Sequence, residues 1–100
     1  MQNLVAEFIS KYQLQTDEQT RYIDLVSEIG ELGKEILKNT EYGKVKFTKS
    51  SRMTDEIGDC LFSLLALCCE LNIDAKDALC DALAKYELRF DTKGDISSGK

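Results

Sequence analysis

Between Ile57 and Leu71 the chain carries Ile57, Cys60, Leu61, Phe62, Leu64, Leu65, Leu67, Cys68, Cys69 and Leu71, and there is no proline anywhere in its 100 residues. On a helix turning ~100° per residue these positions cover most of the circumference. A helix that is apolar nearly all round is a buried helix. The rest of the chain, or another copy of it, must therefore supply the cover. Two short helices are not enough for that, so a homodimer through this helix is expected.

The other periodic segments are also helical. Leu4, Val5, Phe8, Ile9 and Tyr12 recur at spacings of three and four and predict a short helix from Asn3 to Tyr12. Thr16-Asp17-Glu18-Gln19 has the form of a capping box, with Thr16 as N-cap. It opens a long helix to about Lys38, striped by Tyr22, Leu25, Val26, Ile29, Leu32 and Ile36. A polar connection follows, and Thr54 is placed to cap the apolar helix, which runs to about Leu71. Asp74 caps a last helix from 75 to about Phe90. No stretch alternates as a strand does. The expected fold is all-α, with two long antiparallel helices and two shorter flanking ones. Residues 1–91 read as one helical domain, and 92–100 as a flexible tail. Gly30, Gly33 and Gly58 each cost a helix up to about 1 kcal/mol relative to Ala. Helices cross closely there, or the positions leave room for a ligand; close crossing is the expectation.

Composition removes whole classes of function. The chain has no His, which excludes a His general base, a His-containing zinc site and a Ser-His-Asp triad. Cys60, Cys68, Cys69 and Cys80 fit no zinc spacing and sit in apolar surroundings, as reduced packing residues of a cytoplasmic protein do. Acids outnumber bases 18 to 13, for a net charge of −5. Such a chain is a poor partner for nucleic acid or an anionic membrane. No apolar run is long enough to span a bilayer. The charge is uneven, however. Residues 38–52 hold Lys38, Lys44, Lys46, Lys49 and Arg52 against the single acid Glu41.

The acids carry the sharpest pattern. Asp24, Glu28, Glu31 and Glu35 fall within about 60° of one another on the first long helix. A solvated face is the plain explanation. Yet successive members are like-charge pairs at i,i+3 or i,i+4, each costing a few tenths of a kcal/mol. A cation would offset that repulsion. On the apolar helix one narrow polar strip holds Arg52, Glu56, Asp59, Ser63 and Glu70. Glu56 and Asp59 thus lie one turn apart on a helix that should be central. Service to the helix dipole explains Glu56 better than the deeper Asp59. If the two long helices return antiparallel, Glu28, Glu31, Glu56 and Asp59 converge. Four hard oxygen donors without imidazole or thiolate suit Mg²⁺, or Mn²⁺, rather than zinc. Mg²⁺ usually binds through carboxylates and substrate phosphates together, and Lys46 and Lys49 of the basic connection would meet remaining phosphate charge.

Ser27-Glu28-Ile29-Gly30-Glu31-Leu32, followed by Asp55-Glu56-Ile57-Gly58-Asp59-Cys60-Leu61-Phe62, resembles the MazG-like nucleotide pyrophosphohydrolases of the all-α NTP pyrophosphatase superfamily. Their signature is E-x-x-E and then, across a variable link, E-x-x-D. Leu71-Asn72-Ile73-Asp74-Ala75 and Ala84-Lys85-Tyr86-Glu87-Leu88-Arg89-Phe90 resemble the family's downstream helix, so the likeness runs from about Tyr22 to Phe90. It implies hydrolysis of a (d)NTP to the monophosphate and pyrophosphate, with Glu28, Glu31, Glu56 and Asp59 holding Mg²⁺ on the triphosphate. It implies phosphate contacts from Lys85 and Arg89, for which pairing with Asp81 and placement at a helix C-terminus are equal alternatives. Many relatives carry Asn two residues before that Lys; Leu83 stands here, so a contact through Asn is not implied. Family members often pair dimers into tetramers. Phe8, Tyr12, Tyr42 and Phe47 are candidates to stack on a base, with Phe8 and Tyr12 read first as core.

Two other readings stand beside this one. A sister activity of the superfamily, on dUTP, dCTP or phosphoribosyl-ATP, would keep the same acids. A helical dimerisation or nucleotide-binding module without catalysis would keep the fold alone.

Overall fold

The computed structural model describes residues 1–97; Ser98, Gly99 and Lys100, the end of the expected tail, lie outside the described residues. Four helices follow in order: α1 (Gln2–Lys11), α2 (Glu18–Lys38), α3 (Arg52–Glu70) and α4 (Ala75–Lys93). The described residues contain no strand. The fold is therefore all-α, as the periodicity predicts. No helix among the described residues is long and apolar enough to cross a membrane.

The apolar helix α3 is the centre, with α2 and α1 both packed on it. Two polar braces define the α2–α3 pairing. Arg21, near the start of α2, lies 3.6 Å from Glu70 at the end of α3. Glu35, near the end of α2, lies 3.6 Å from Arg52 at the start of α3. The two long helices are thus antiparallel. Val5 and Ile9 of α1 bury against Leu65 and Ala66 of α3, with Phe62 packed beside them. Phe8 meets the Phe62 ring edge-on at 5.9 Å between centroids. Phe8 and Tyr12 nonetheless remain largely exposed, so they are not the core residues their spacing suggests.

Two of the three expected caps move. Asp17, not Thr16, caps α2, its carboxylate accepting from the Thr20 amide at 2.7 Å. The two residues are adjacent and both competent, and the carboxylate adds charge favourable to the helix dipole. Helix α3 starts at Arg52, behind Ser51, rather than after Thr54. Asp74 caps α4 as expected, accepting from Asp77 at 2.9 Å. That helix continues through Thr92 and Lys93 before Gly94 ends it with φ +83°.

The apolar stripe of α2 mostly faces away from α3. Leu25 and Leu32 are half-buried, but Tyr22, Val26, Ile29 and Ile36 are exposed. The α2 face against α3 is instead the one with Arg21, Glu28 and Glu35, which places Glu35 at only 7% exposure. Ile57, Leu61, Leu64 and Leu71 of α3 also remain exposed. A Cβ at Gly30, Gly33 or Gly58 would meet nothing within 4 Å, so the expected close crossing does not occur within one chain.

Candidate metal centre

Glu28 sits on the buried side of α2, between the half-buried Leu25 and Leu32. With α3 antiparallel and braced at both ends, Glu28 falls opposite the second turn of α3. There Glu56 and Asp59 stand on the same polar strip. One carboxylate oxygen from each of Glu28, Glu56 and Asp59 lies within 4.8 Å of the others. Because α3 begins at Arg52, its first turn ends with Asp55, and Glu56 lies beyond it. Service to the dipole at the helix start therefore explains neither Glu56 nor Asp59.

The acids of the cluster act on one another. Partial burial pushes the Glu28 carboxyl above its ordinary value, and the charges of Asp59, Glu56, Glu31 and Asp24 push it further. Burial also raises the Cys60 thiol, and Glu28, Glu56 and Asp59 add to the effect. Cys60 thus remains a thiol beside the acids and offers no thiolate. The donor set is all oxygen, drawn from two rigid helices. It fits a hard divalent cation with coordination positions left for water or phosphate.

The other expected site residues are distributed unevenly. Glu31 is exposed one turn along α2, close enough to act on Glu28. Lys46 and Lys49 are exposed in the 39–51 connection, where Glu41, Tyr42 and Gly43 take positive φ. Lys85 and Arg89 lie on α4, which buries none of its residues and packs only marginally on the other helices. The Lys85 ammonium lies 5.3 Å from the Tyr86 ring centroid and the Arg89 guanidinium 5.9 Å from it. Among the described residues no ion pair joins Lys85 to Asp81.

One element of the site was not legible from spacing. Glu35 belongs to the acidic stripe but turns inward, where its carboxylate accepts from Ser50 Oγ at 3.0 Å. Ser50 Oγ in turn accepts from Asn39 Nδ2 at 3.1 Å. Together with the Arg52 pair, this network ties both ends of the 39–51 connection to the start of α3. Its one sequence signal is Arg52, the cation at the approach to the Glu56–Asp59 strip.

No curated protein and no solved structure matches the chain significantly. A family model does: the MazG nucleotide pyrophosphohydrolase domain, over residues 15–92. That span takes in α2, α3 and nearly all of α4, and with them both halves of the acidic cluster. The chain belongs to the MazG nucleotide pyrophosphohydrolase family.

Proposed function

We propose that the protein is a Mg²⁺-dependent nucleoside triphosphate pyrophosphohydrolase, cleaving a (d)NTP between the α- and β-phosphorus to give (d)NMP and pyrophosphate. The observation that carries this reading is the meeting of Glu28, Glu56 and Asp59 from two helices. Three carboxylates at that separation repel unless a cation lies among them. Glu28, Glu56 and Asp59 would hold it, with Glu31 at the rim. Bound there, Mg²⁺ or Mn²⁺ would neutralise phosphate charge and polarise the phosphoryl group under attack.

The chain's own residues do the rest. A carboxylate of the cluster orients water in line with the α-phosphorus and accepts its proton. The α–β bridging oxygen leaves with pyrophosphate. Lys46 and Lys49, and Lys85 and Arg89, meet the phosphate charge that the cation leaves over. The exposed apolar faces of α2 and α3 support a homodimer or a dimer of dimers. A cytoplasmic house-cleaning role against noncanonical nucleotides fits this chemistry and the unpaired thiols.

Pyrophosphate release from a panel of NTPs and dNTPs tests the proposal. Release should require Mg²⁺, stop with EDTA, and fall on the order of 100-fold or more in Glu56→Ala. The panel should include dUTP, dCTP and phosphoribosyl-ATP, which separates the general activity from its sister activities. A folded protein that releases pyrophosphate from none of them overturns the catalytic reading.

A further inference from the structure

Helix α4 is held chiefly at its root. It buries none of its residues and packs only marginally on the other helices. Its first residue, Ala75, is half-buried against the cluster of Val5, Ile9, Leu65 and Ala66. The direction in which α4 leaves α3 is therefore set by the 71–74 link and by what holds that link.

Two anchors hold it. Asp74 accepts from the Asp77 amide at 2.9 Å, a cap supplied from within the link. The second anchor comes from the other end of the chain. The Gln2 side chain donates through Nε2 to the Ile73 carbonyl at 2.8 Å and accepts through Oε1 from the Ala75 amide at 2.7 Å. The Ala75 amide is one of the helix-start donors with no partner inside the helix, and Gln2 gives it one. One planar amide group thus grips the chain on both sides of Asp74. Hydrogen bonds weaken steeply off line, so the grip restrains direction as well as distance. Gln2 can act in this way because α1 is itself fixed. Val5 and Ile9 bury on α3, and the Leu4 and Val5 amides bond back to the Met1 carbonyl around Gln2.

A small change at the root is large at the far end. At ~1.5 Å per residue, Lys85 lies ~15 Å and Arg89 ~21 Å beyond Ala75. A tilt of about 10° at Ala75 moves them by about 3 and 4 Å, more than a hydrogen bond to phosphate tolerates. The matched family domain begins at residue 15, so α1 stands outside it. The last helix of the domain is aimed by a side chain that the domain does not include.

We propose that Gln2 is a positioning residue: through Ile73 and Ala75 it sets the direction of α4, and with it the place where Lys85 and Arg89 meet the nucleotide phosphates. This rests on the nucleotide reading above and adds to it the element that aims these two cations.

Gln2→Met tests it, since Met keeps the length of the side chain and drops both hydrogen bonds. Gln2 is half-buried and outside the core, so the variant should fold, which a thermal melt checks. Binding of a non-hydrolysable nucleoside triphosphate analogue with Mg²⁺, and kcat/KM for hydrolysis, are measured for wild type, Gln2→Met, Lys85→Ala/Arg89→Ala and the triple variant. Gln2→Met should lower both on the order of 10-fold. In the background without the two cations it should change them less than about 2-fold, because its effect travels through those side chains. An equal loss in the two backgrounds, as general destabilisation would give, overturns the proposal. So does a Gln2→Met variant with wild-type values. A further readout needs no nucleotide. The Ala75 amide should be protected from hydrogen exchange in wild type and lose about 10-fold or more of that protection in Gln2→Met. Equal exchange in the two proteins overturns the grip on α4. If wild type binds the analogue without hydrolysing it, the catalytic reading fails, and the binding measurements still decide the role of Gln2. If it binds none, the nucleotide reading itself has failed, and the positioning role with it.

Discussion

Glu28 is the residue on which the site turns, because its carboxyl is raised by burial and by four neighbouring acids. In the metal-free protein the fold favours its protonated form. The associated stability is full below the ordinary carboxyl pKa and is lost as pH rises through the raised value. Glu28→Gln removes that loss. At neutral pH the metal-free variant should therefore melt above wild type, and the gap should close toward about pH 4, where wild-type Glu28 is protonated. With Mg²⁺ the order should reverse, because only wild type gains from the ion. Thermal melts across pH, with and without Mg²⁺, measure both; a Gln variant that still gains from Mg²⁺ would remove Glu28 from the site. Glu35, on the same stripe, has a different task. Glu35→Ala leaves Ser50 Oγ without its acceptor and removes the partner of the largely exposed Arg52, and should cost about 0.5–1.5 kcal/mol in urea unfolding. Glu35→Gln keeps an acceptor for Ser50 and should cost less. The stripe of acids was plain in the sequence, but the division of labour within it was not. Which acid turns inward depends on Ser50 and Arg52, which come from beyond the connection.

Among the helices, what was legible was what each helix contains by itself. The 3.6-residue period gave four helices, and the order E-x-x-E then E-x-x-D on an antiparallel pair pointed to a convergence of Glu28, Glu31, Glu56 and Asp59; Glu28, Glu56 and Asp59 meet, while Glu31 stands exposed one turn away. What depends on a neighbour was missed. Thr54 is the expected cap for α3, yet the helix starts earlier, behind Ser51, where Arg52 reaches Glu35. Nothing in the spacing singles out Arg21, yet it is 6% exposed, donates to the Leu14 carbonyl and faces Glu70. It ties the α1–α2 link, α2 and the end of α3 together. Removing one partner of a buried pair strands the other, so Arg21→Ala should cost about 3–5 kcal/mol. A domain of this size has only about 5–15 kcal/mol in total, so the denaturation midpoint should fall steeply. Arg21→Met/Glu70→Gln, which removes both charges and restores some volume, should recover much of the loss. If the double variant is as unstable as Arg21→Ala, the pair is not what joins these elements.

At the scale of the whole molecule, the single chain is an incomplete solution to its own sequence. The apolar helix was expected to be central, and it is; yet Ile57, Leu61 and Leu64 remain exposed on it, beside Tyr22, Val26 and Ile29 of α2. Sequence periodicity cannot separate a face that meets a neighbouring helix from one that meets another copy, since both are apolar. Gly33 lies on this exposed face of α2 with open space above it, room for a helix of a second chain to approach. If association supplies the missing cover, folding and assembly are one equilibrium, and stability must depend on concentration. The melting temperature should rise about 3–5 °C for each tenfold increase in protein, the effect of about 1.4 kcal/mol on a two-chain unit. Val26→Asp and Leu64→Asp place a charge in the proposed interface without touching the core of one chain. Each should shift sedimentation toward a single 11.3 kDa species and make melting both lower and independent of concentration. Wild-type protein that sediments at that mass, with a melting temperature unmoved by dilution, would mean that water alone covers these faces. The two Asp variants would then change stability by no more than about 0.5 kcal/mol, as ordinary surface substitutions do.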